Sequence, residues 1–462
     1  MRVYPIRFLL LLSLSLALIL FAPLRPSSAQ ELNPSRAFYL GYDLSASEDG
    51  AAVAEALYVS SLDGQTTKLS AADANVIQYR PQTSGERVAY ITRTDDQLAL
   101  DVVQSDGTML FRLPLPEARS AIVQVFTDLV WLTTTDADNV PTLRGVDADS
   151  GEVVAERKFS RANVDVSVHP SGNWALAYHA ETGRLNVLQL PALTSVSLEL
   201  SGYALTAPKW SPVAPQFLMG ARALDNPDDM GVLIADVTAP SVLRFDAPDF
   251  SAASRIEMDW SKHGQYVVME ATAAGSQAAT PSSTLIFINA ETGALASFND
   301  AIRHLQVLDW SASDSYALVQ GSTATASGPS FELFDPATSE SKPLASVFSN
   351  LAPLTFAWSP ATSSLGILGR TLEQPGYEVM TVAADTLAPA TELLTQDIGL
   401  EQSSLRWSAD GQYLIFAAPI TDPMNLLLDL PNGVFAVDRE TDQIVRLSPD
   451  DVAIVPLTLD VQ

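Results

Sequence analysis

Short hydrophobic runs follow one another along most of this chain, and polar turn residues separate them. The C-terminal part shows the pattern well, with apolar runs at residues 404–408, 413–418, 433–438 and 444–447, bounded by Gly, Pro, Asp and Ser. Runs this short, rich in β-branched and aromatic side chains, predict β-strands. No segment sustains the 3.6-residue apolar spacing of an amphipathic helix. We therefore predict an all-β chain.

The four-run unit repeats, and a tryptophan marks each clear copy. The tryptophans concerned, each followed by serine, are Trp210, Trp260, Trp310, Trp358 and Trp407. Successive members of this series stand 50, 50, 48 and 49 residues apart. A fixed period in this range is typical of solenoids and propellers, in which one supersecondary unit is stacked repeatedly. The tryptophan at the end of the first strand is expected to pack against the next blade.

The number of blades depends on how the two ends of the chain are read. Eight complete units begin near Val76, Ala121, Val164, Leu205, Ile256, Leu305, Thr355 and Ser404. Three apolar runs precede them, at 38–44, 56–61 and 66–69, and one follows at 452–459. Joined, these four runs would make a ninth blade, closed by the C-terminus pairing with N-terminal strands. Because propellers typically have four to eight blades, we predict a single propeller over residues 36–462. It has about eight four-stranded blades, within a range of seven to nine.

The Trp-Ser-x-Asp-Gly-x-Tyr unit, followed by an Asp-x-x-Thr-Gly turn, resembles the repeat of TolB-type, WD40-like propellers. The resemblance covers residues 77–448 and is strongest from Trp210 onward, although the Trp-Asp and Gly-His signatures of WD40 proteins are missing. It implies that the turns after the first and third strands of each blade share one face. It also implies that the chain engages other proteins.

Insertions of unequal length fall between the second and third strands, at residues 224–230, 272–283, 321–330, 370–377 and 419–432. Variable loops on a rigid scaffold usually carry recognition, so we predict a protein-binding surface on this face. Its candidate residues are Asp228, Asp229, Met230, Met424, Asn425, Leu426 and Leu427. Plain solvated turns, a plug in the central channel and an extended hairpin are the alternatives for these loops.

The N-terminus predicts export. Arg2 and Arg7, the apolar run at 8–22 and the small residues at 27–29 form a signal peptide, with cleavage before Gln30 and a linker over 30–35. The chain has no cysteine, so disulfides cannot stabilise its fold and an acylated cysteine cannot anchor it to a membrane. We predict an extracytoplasmic protein, secreted or kept in an envelope space, without membrane insertion after cleavage.

The net charge of the chain limits the classes of partner that it is expected to bind. The formal net charge is −28, and it becomes −31 when Arg2, Arg7 and Arg25 leave with the signal peptide. Nucleic acids and anionic membranes both require a basic surface, so neither is an expected partner.

Catalytic and metal-binding signatures are missing from the sequence. There is no Gly-x-Ser-x-Gly elbow, and the histidines, His169, His179, His263 and His304, fall in different units. Residues 147–152 superficially resemble a calcium loop but align with a hairpin turn. We predict no catalytic residue, no metal and no cofactor.

The leading hypothesis is therefore an exported, non-catalytic scaffold that binds a protein. One alternative is a hydrolase or lyase acting on a glycan or peptide, with carboxylates or histidines converging at a channel mouth. Three such residues with perturbed protonation at one mouth would favour that alternative. The other alternative is a structural envelope protein. The sequence leaves the oligomeric state open.

Overall fold

A computed structural model describes residues 35–43, 55–71, 74–198, 200, 202–226, 229–239, 241–246, 253–273, 283–299, 304–322, 328–348, 351–372, 377–395, 404–418, 433–455 and 458–462. Every regular element in these ranges is a β-strand. The same ranges contain no helix of the length and apolarity that crossing a membrane requires. The all-β prediction is confirmed.

Eight blades are antiparallel sheets whose strands follow in chain order, and three earlier strands belong to a ninth blade. The three earlier strands are β1 (Arg36–Asp43), β2 (Glu55–Ser61) and β3 (Thr66–Lys68). Blade 1 comprises β4 (Asn75–Pro81), β5 (Arg87–Thr94), β6 (Gln97–Gln104) and β7 (Met109–Leu115). Blade 2 comprises β8 (Ser120–Val125), β9 (Leu129–Thr135), β10 (Pro141–Asp147) and β11 (Val153–Lys158). Blade 3 comprises β12 (Val164–Val168), β13 (Trp174–His179), β14 (Arg184–Gln189) and β15 (Thr194–Val196). Blade 4 comprises β16 (Tyr203–Leu205), β17 (Lys209–Trp210), β18 (Gln216–Ala223), β19 (Met230–Asp236) and β20 (Ser241–Asp246), with β16 and β17 both paired to β18.

The remaining blades follow the same plan. Blade 5 comprises β21 (Ala253–Trp260), β22 (Tyr266–Ala273), β23 (Ser283–Asn289) and β24 (Leu295–Asn299). Blade 6 comprises β25 (His304–Trp310), β26 (Ala317–Ser322), β27 (Ser330–Asp335) and β28 (Glu340–Pro343). Blade 7 comprises β29 (Leu351–Trp358), β30 (Ser364–Thr371), β31 (Tyr377–Ala383) and β32 (Pro389–Thr395). Blade 8 comprises β33 (Ser404–Trp407), β34 (Tyr413–Ala418), β35 (Gly433–Asp438) and β36 (Ile444–Arg446).

The ninth blade joins the two ends of the described chain. Its inner strand is formed by β37 (Val452–Ile454) and β38 (Asp460–Val461), and both pair with β1. The apolar run predicted at 452–459 contains β37 at its start, and the second short strand, β38, begins immediately after the run, at Asp460. The propeller has nine blades rather than eight, which is the upper end of the predicted range.

The core is divided among the contacts between blades. Nine clusters of buried hydrophobic residues occur in the described ranges, and each joins two neighbouring blades. One of them packs Leu368 of blade 7 against Trp407 of blade 8, and another packs Ile415 of blade 8 against Tyr39 of blade 9. The series passes once around the nine blades and closes. Burial of apolar surface therefore holds every blade on both of its faces.

The repeated tryptophan contacts the blade before its own, so the expectation that it packs against the next blade is wrong. The indole N–H of Trp407 donates to the main-chain oxygen of Ala357 at 2.8 Å, and that of Trp260 donates to Lys209 at 3.0 Å. The indole N–H of Trp210 makes the equivalent bond to Ser167 at 3.1 Å. An indole ring is large and apolar and carries a single N–H donor, so it suits an apolar contact that contains one carbonyl acceptor. In these three blades the tryptophan thus combines burial of an apolar ring with a hydrogen bond to the preceding blade.

The serine after each tryptophan organises the turn that follows. The Oγ atoms of Ser261 and Ser408 accept the N–H groups of Tyr266 and Tyr413, each at 2.9 Å. The glycine in this turn adopts φ of +70° at Gly411, a conformation that residues with a side chain rarely adopt. These turns and those between third and fourth strands form one face of the propeller, which we call the turn face.

Candidate functional site

One residue of each blade occupies an equivalent place on the innermost strand, immediately before the tryptophan position. Each of these residues pairs with the second or third residue of the strand that follows it in its sheet. From blade 1 to blade 9 they are Arg80, Gln124, Ser167, Lys209, Asp259, Asp309, Ala357, Arg406 and Asp460. We call this set the inner ring. First strands of neighbouring blades contact one another, as β4 with β8 and β29 with β33 do, so the ring surrounds the central channel.

The inner ring carries balanced charge. Its cations are Arg80, Lys209 and Arg406, and its carboxylates are Asp259, Asp309 and Asp460. Blades 8, 9 and 1 contribute Arg406, Asp460 and Arg80 in succession, with a net charge of one positive unit. Blades 4, 5 and 6 contribute Lys209, Asp259 and Asp309, with a net charge of one negative unit. The two charged arcs lie on opposite sides of the ring.

Asp460 is placed between two guanidinium groups. Burial raises the pKa of Asp460, while the Gln462 amide, which donates to its carboxylate at 2.9 Å, and the charges of Arg406 and Arg80 oppose that rise. Loss of water from around a carboxyl favours its neutral form, and nearby cations favour the ionised form. This carboxyl is therefore sensitive to anything that enters the ring and displaces water or an arginine.

Burial and nearby cations also have opposite effects on the pKa of Asp309, in blade 6. Burial raises the pKa of Asp309, while the main-chain N–H of Trp310 at 2.8 Å and the charges of Lys262 and Arg406 oppose the rise. Asp309 belongs to blade 6 and Arg406 to blade 8, and the intervening ring position is the small Ala357. One arginine thus acts on two carboxyl groups that are about 150 residues apart in sequence.

Lys209 and Asp259 form the remaining charged pair. The Lys209 Nζ atom lies 2.9 Å from Asp259 Oδ2, and about half or more of each side chain is accessible to solvent. A pair this exposed contributes little to stability because water screens it. Its members are accordingly available to an incoming ligand at small energetic cost.

The channel wall next to the inner ring is apolar at three bulges. The pairing registers of β4, β25 and β29 each skip one residue, and the skipped residues are Ile77, Leu308 and Leu354. These side chains are 38%, 37% and 44% exposed. A bulge redirects the side chain of its extra residue. The wall thus combines a charged ring with exposed aliphatic groups.

The predicted partner-binding residues are only partly within the described ranges. Asp228, Met424, Asn425, Leu426 and Leu427 lie outside them. The carboxylate of Asp229 pairs with the guanidinium of Arg244, and its N–H donates to the Asn226 carbonyl at 3.0 Å. Met230 begins β19, where its backbone pairs with Arg222. Partner binding through these residues stays a prediction.

The histidines do not converge on one place. His169 is 1% exposed, and its Nε2 lies 2.7 Å from the Ala214 carbonyl oxygen of the next blade. Burial lowers the pKa of His169. His304 lies 3.3 Å from Glu270 at the contact of blades 5 and 6. The calcium-like stretch is a turn in which the carboxylate of Asp147 accepts the N–H of Ser150 at 2.8 Å. No group of three or more His, Asp and Glu side chains in the described ranges is arranged to hold a metal ion.

Sequence reasoning identified the five repeat tryptophans but missed the inner ring. The signal was available, because the ring position is the residue before each tryptophan, and Lys209, Asp259, Asp309 and Arg406 appear there. The equivalent residues of blades 1 and 9, Arg80 and Asp460, have no tryptophan beside them. Only the strand pairing shows that they belong to the same ring.

Comparison with known protein families finds no match, and comparison with curated proteins finds none either. Among solved structures, the chain is similar to dihydro-heme d1 dehydrogenase NirN in complex with DHE, at 14% identity and a TM-score of 0.44, over 81% of this chain and 74% of that one. The propeller domain of the Trilobed protease from Pyrococcus furiosus matches at 12% identity and a TM-score of 0.38, over 71% and 98% of the two chains. Oligogalacturonate lyase from Vibrio parahaemolyticus also matches at 12% identity and 0.38, over 71% and 85%. These likenesses reach no further than the fold.

Proposed function

We propose that the chain is an exported binding scaffold that engages a protein partner at the inner ring. The observation that carries this proposal is the division of the ring into a net positive arc, with Arg406 and Arg80, and a net negative arc, with Asp259 and Asp309. Complementary charges give a binding site orientation and specificity. A partner segment that bears both a carboxylate and a cation matches the two arcs at once.

Two features of the sequence support a protein as the partner. The resemblance to TolB-type repeats implies that the chain engages other proteins, and the predicted signal peptide would bring it to partners outside the cytoplasm. The exposed Ile77, Leu308 and Leu354 offer apolar contact beside the charges. Interfaces commonly combine an apolar centre with charged groups that fix the register.

Affinity capture by the wild-type protein and by a variant that lacks the two arginines of the positive arc tests the proposal. Residues 30–462 serve as bait in the exported fraction, beside an Arg80→Gln/Arg406→Gln variant. The matched control is Arg119→Gln/Arg161→Gln, which removes two exposed arginines outside the ring. We expect a specific partner that the ring variant loses and the control keeps, with capture that weakens as salt rises. Equal capture by both variants would contradict binding at the ring, and capture of nothing specific would contradict the scaffold.

Export has its own test. The mature protein is expected to begin at Gln30, which N-terminal sequencing of the exported chain determines. Retention of residues 1–29 on the exported protein would contradict the predicted cleavage.

A second candidate function is catalysis at the ring. It is favoured by Asp309 and Asp460, whose raised pKa values suit a proton donor, with Arg406 acting on both carboxyl groups. A screen of glycan and peptide substrates, run with Asp309→Asn and Asp460→Asn, tests it. Turnover that both substitutions abolish would support an enzyme. Turnover that neither affects, or none at all, would count against it.

A further inference from the structure

A cavity of about 410 Å³ lies between the outer parts of blades 1 and 2. The end of β7 and the residues that follow it form one wall, and β9, β10 and β11 form the other. The volume falls within the usual range of small-molecule sites. The inner-ring residues of these two blades, Arg80 and Gln124, lie on β4 and β8 instead. The cavity is therefore separate from the inner ring.

The two walls of the cavity differ in polarity. The blade 1 wall is mainly apolar, with Leu113, Pro114, Leu115 and Pro116. On the blade 2 wall, Arg144 of β10 pairs with Leu132, which packs against blade 1. Because alternate residues of a strand share one face, Thr142 also faces blade 1. A ligand in the cavity therefore meets an apolar surface on one side and polar groups on the other.

Four residues of the polar wall stand at the corners of a quadrilateral. In the pairing of β10 with β11, Arg144 lies opposite Glu156, and Thr142 lies opposite Lys158. Side chains that are directly opposite share one face of the sheet, with Cβ atoms about 5 Å apart. The two cations thus occupy opposite corners, and the carboxylate and the hydroxyl occupy the other two.

The Thr142 hydroxyl is almost enclosed by the blade and yet open to the cavity. The residue is 7% exposed, and its hydroxyl has no hydrogen-bond partner among the described residues. Its oxygen keeps accessible surface, and the residue lines the cavity. Since buried polar groups are normally hydrogen-bonded, this hydroxyl indicates a bonding partner within the cavity.

The two cations of the quadrilateral also keep unused donors. The Nε and Nη1 atoms of Arg144 donate to Glu156 at 2.6 Å and to Thr134 at 3.1 Å. Its Nη2 atom has no acceptor in the described part of the chain, and about a quarter of the side chain is accessible to solvent. The Nζ atom of Lys158 lies 3.0 Å from Asp136 Oδ2, and an ammonium group has three donors. Both cations therefore have donors left for a ligand, at atoms that a ligand can reach.

We propose that this cavity, which we call the interblade cavity, binds a free α-amino acid with an apolar side chain. The ligand carboxylate accepts hydrogen bonds from the Thr142 hydroxyl and from Arg144 and Lys158 on either side of it. The ligand ammonium pairs with Glu156, at the corner opposite Thr142. The ligand side chain packs against the apolar wall that includes Leu113. Charge-assisted hydrogen bonds and burial of apolar surface both favour the bound state.

The charges of the interblade cavity suit a zwitterion better than a simple ion. Its lining carries three carboxylates and two cations, namely Glu117, Asp136, Glu156, Arg144 and Lys158, so its net charge is one negative unit. This net charge opposes a ligand that is only an anion. A ligand that is only a cation leaves the unused donors without an acceptor. A zwitterion carries no net charge and serves both kinds of group, and its binding does not depend on the function proposed for the inner ring.

Ligand-observed NMR followed by calorimetry on residues 30–462 tests the proposal with four probes. L-leucine carries all three parts of the ligand. The compound 4-methylpentanoate lacks the ammonium, 3-methylbutylamine lacks the carboxylate, and glycine lacks the apolar side chain. We expect L-leucine to bind and each of the other three to bind at least about tenfold more weakly, because each loses one set of contacts.

A substitution at Thr142 separates ligand binding from folding. Thr142→Val removes a hydroxyl that has no partner in the described ranges, so the melting temperature should stay unchanged or rise, while the affinity for L-leucine falls by about tenfold. Thr133→Val is the matched control. Thr133 lies on the opposite face of the same sheet, where it pairs with Leu143 at the contact of blades 2 and 3, and its replacement should keep the affinity.

A substitution at Glu156 tests the charges. Glu156→Gln should weaken the binding of L-leucine and strengthen that of 4-methylpentanoate, since it removes the partner of the ammonium and one negative charge. Glu152→Gln, at an exposed residue in the turn before β11, should change neither affinity. The proposal is overturned if L-leucine does not bind, if 4-methylpentanoate binds as tightly as L-leucine, or if Thr142→Val binds L-leucine as the wild type does.

Discussion

The indole N–H of Trp407 donates to the main-chain oxygen of Ala357, at 2.8 Å, across the contact of blades 8 and 7. Ala357 is the inner-ring residue of its blade, so the bond fixes the strand that carries the ring. Trp260 and Trp210 make the same bond to ring residues Lys209 and Ser167. The repeat motif that defines the fold thus also positions the ring.

The contribution of this hydrogen bond to the free energy of unfolding can be measured with a matched pair of substitutions. Trp358 is buried like Trp407, but its indole N–H has no acceptor among the described residues. Trp407→Phe and Trp358→Phe remove similar volumes, and only the first removes a hydrogen bond between an indole N–H and a carbonyl. We expect Trp407→Phe to lower the free energy of unfolding by about 0.5–1.5 kcal/mol more than Trp358→Phe. Urea denaturation checks the difference, and equal losses would show that packing alone explains the tryptophan.

The carboxyl groups of the ring should make stability depend on pH. Burial raises the pKa of Asp309 and of Asp460. A carboxyl whose folded pKa lies above its unfolded value, about 3.9, stabilises the fold fully below that value. Its contribution is lost as the pH rises through the folded pKa. Asp309→Asn/Asp460→Asn should therefore flatten the fall in unfolding free energy above about pH 4. Urea denaturation from pH 4 to 8 checks this, with Asp165→Asn, an exposed site on β12, as the control.

Replacement of Arg406 should change the pKa of both Asp309 and Asp460. Its charge lowers the pKa of both Asp309 and Asp460 against the effect of burial. Arg406→Gln is expected to raise both pKa values further, and Arg161→Gln to leave both unchanged. Carbon-13 NMR titration of the side-chain carboxyl groups measures this. A rise in the pKa of Asp460 alone would mean that the charge of Arg406 does not reach Asp309 across blade 7.

The stability of the fold should depend on which residue replaces Asp314. It is fully buried at φ +54°, and its carboxylate accepts the Ser261 hydroxyl and the N–H groups of His263 and Gln265. Asp314→Ala and Asp314→Gly both remove these bonds, but only alanine keeps the unfavourable φ. We expect alanine to be less stable than glycine by about 1–2 kcal/mol. Thermal denaturation checks this, with Asp314→Asn expected to be the mildest change. An alanine variant as stable as the glycine variant would contradict a backbone cost at this turn.

The candidate sites were less predictable than the fold, for reasons that particular residues show. Arg80 and Asp460 carry no motif, and they join the inner ring only because β4 and β38 occupy equivalent places in their blades. The ring depends on contacts between units, which a linear pattern does not contain.

The sequence alone determined the all-β class, the unit of about 50 residues and the identity of its tryptophans. These follow from local rules, because strand runs, turn residues and a repeated aromatic position are set within each unit. The tertiary structure decided the ninth blade and the charged ring. Tyr42 pairs with Ala453 across most of the chain length, and no local preference favours that pairing over free ends. It forms because closing the ring gives blades 8 and 1 the apolar neighbours that they otherwise lack.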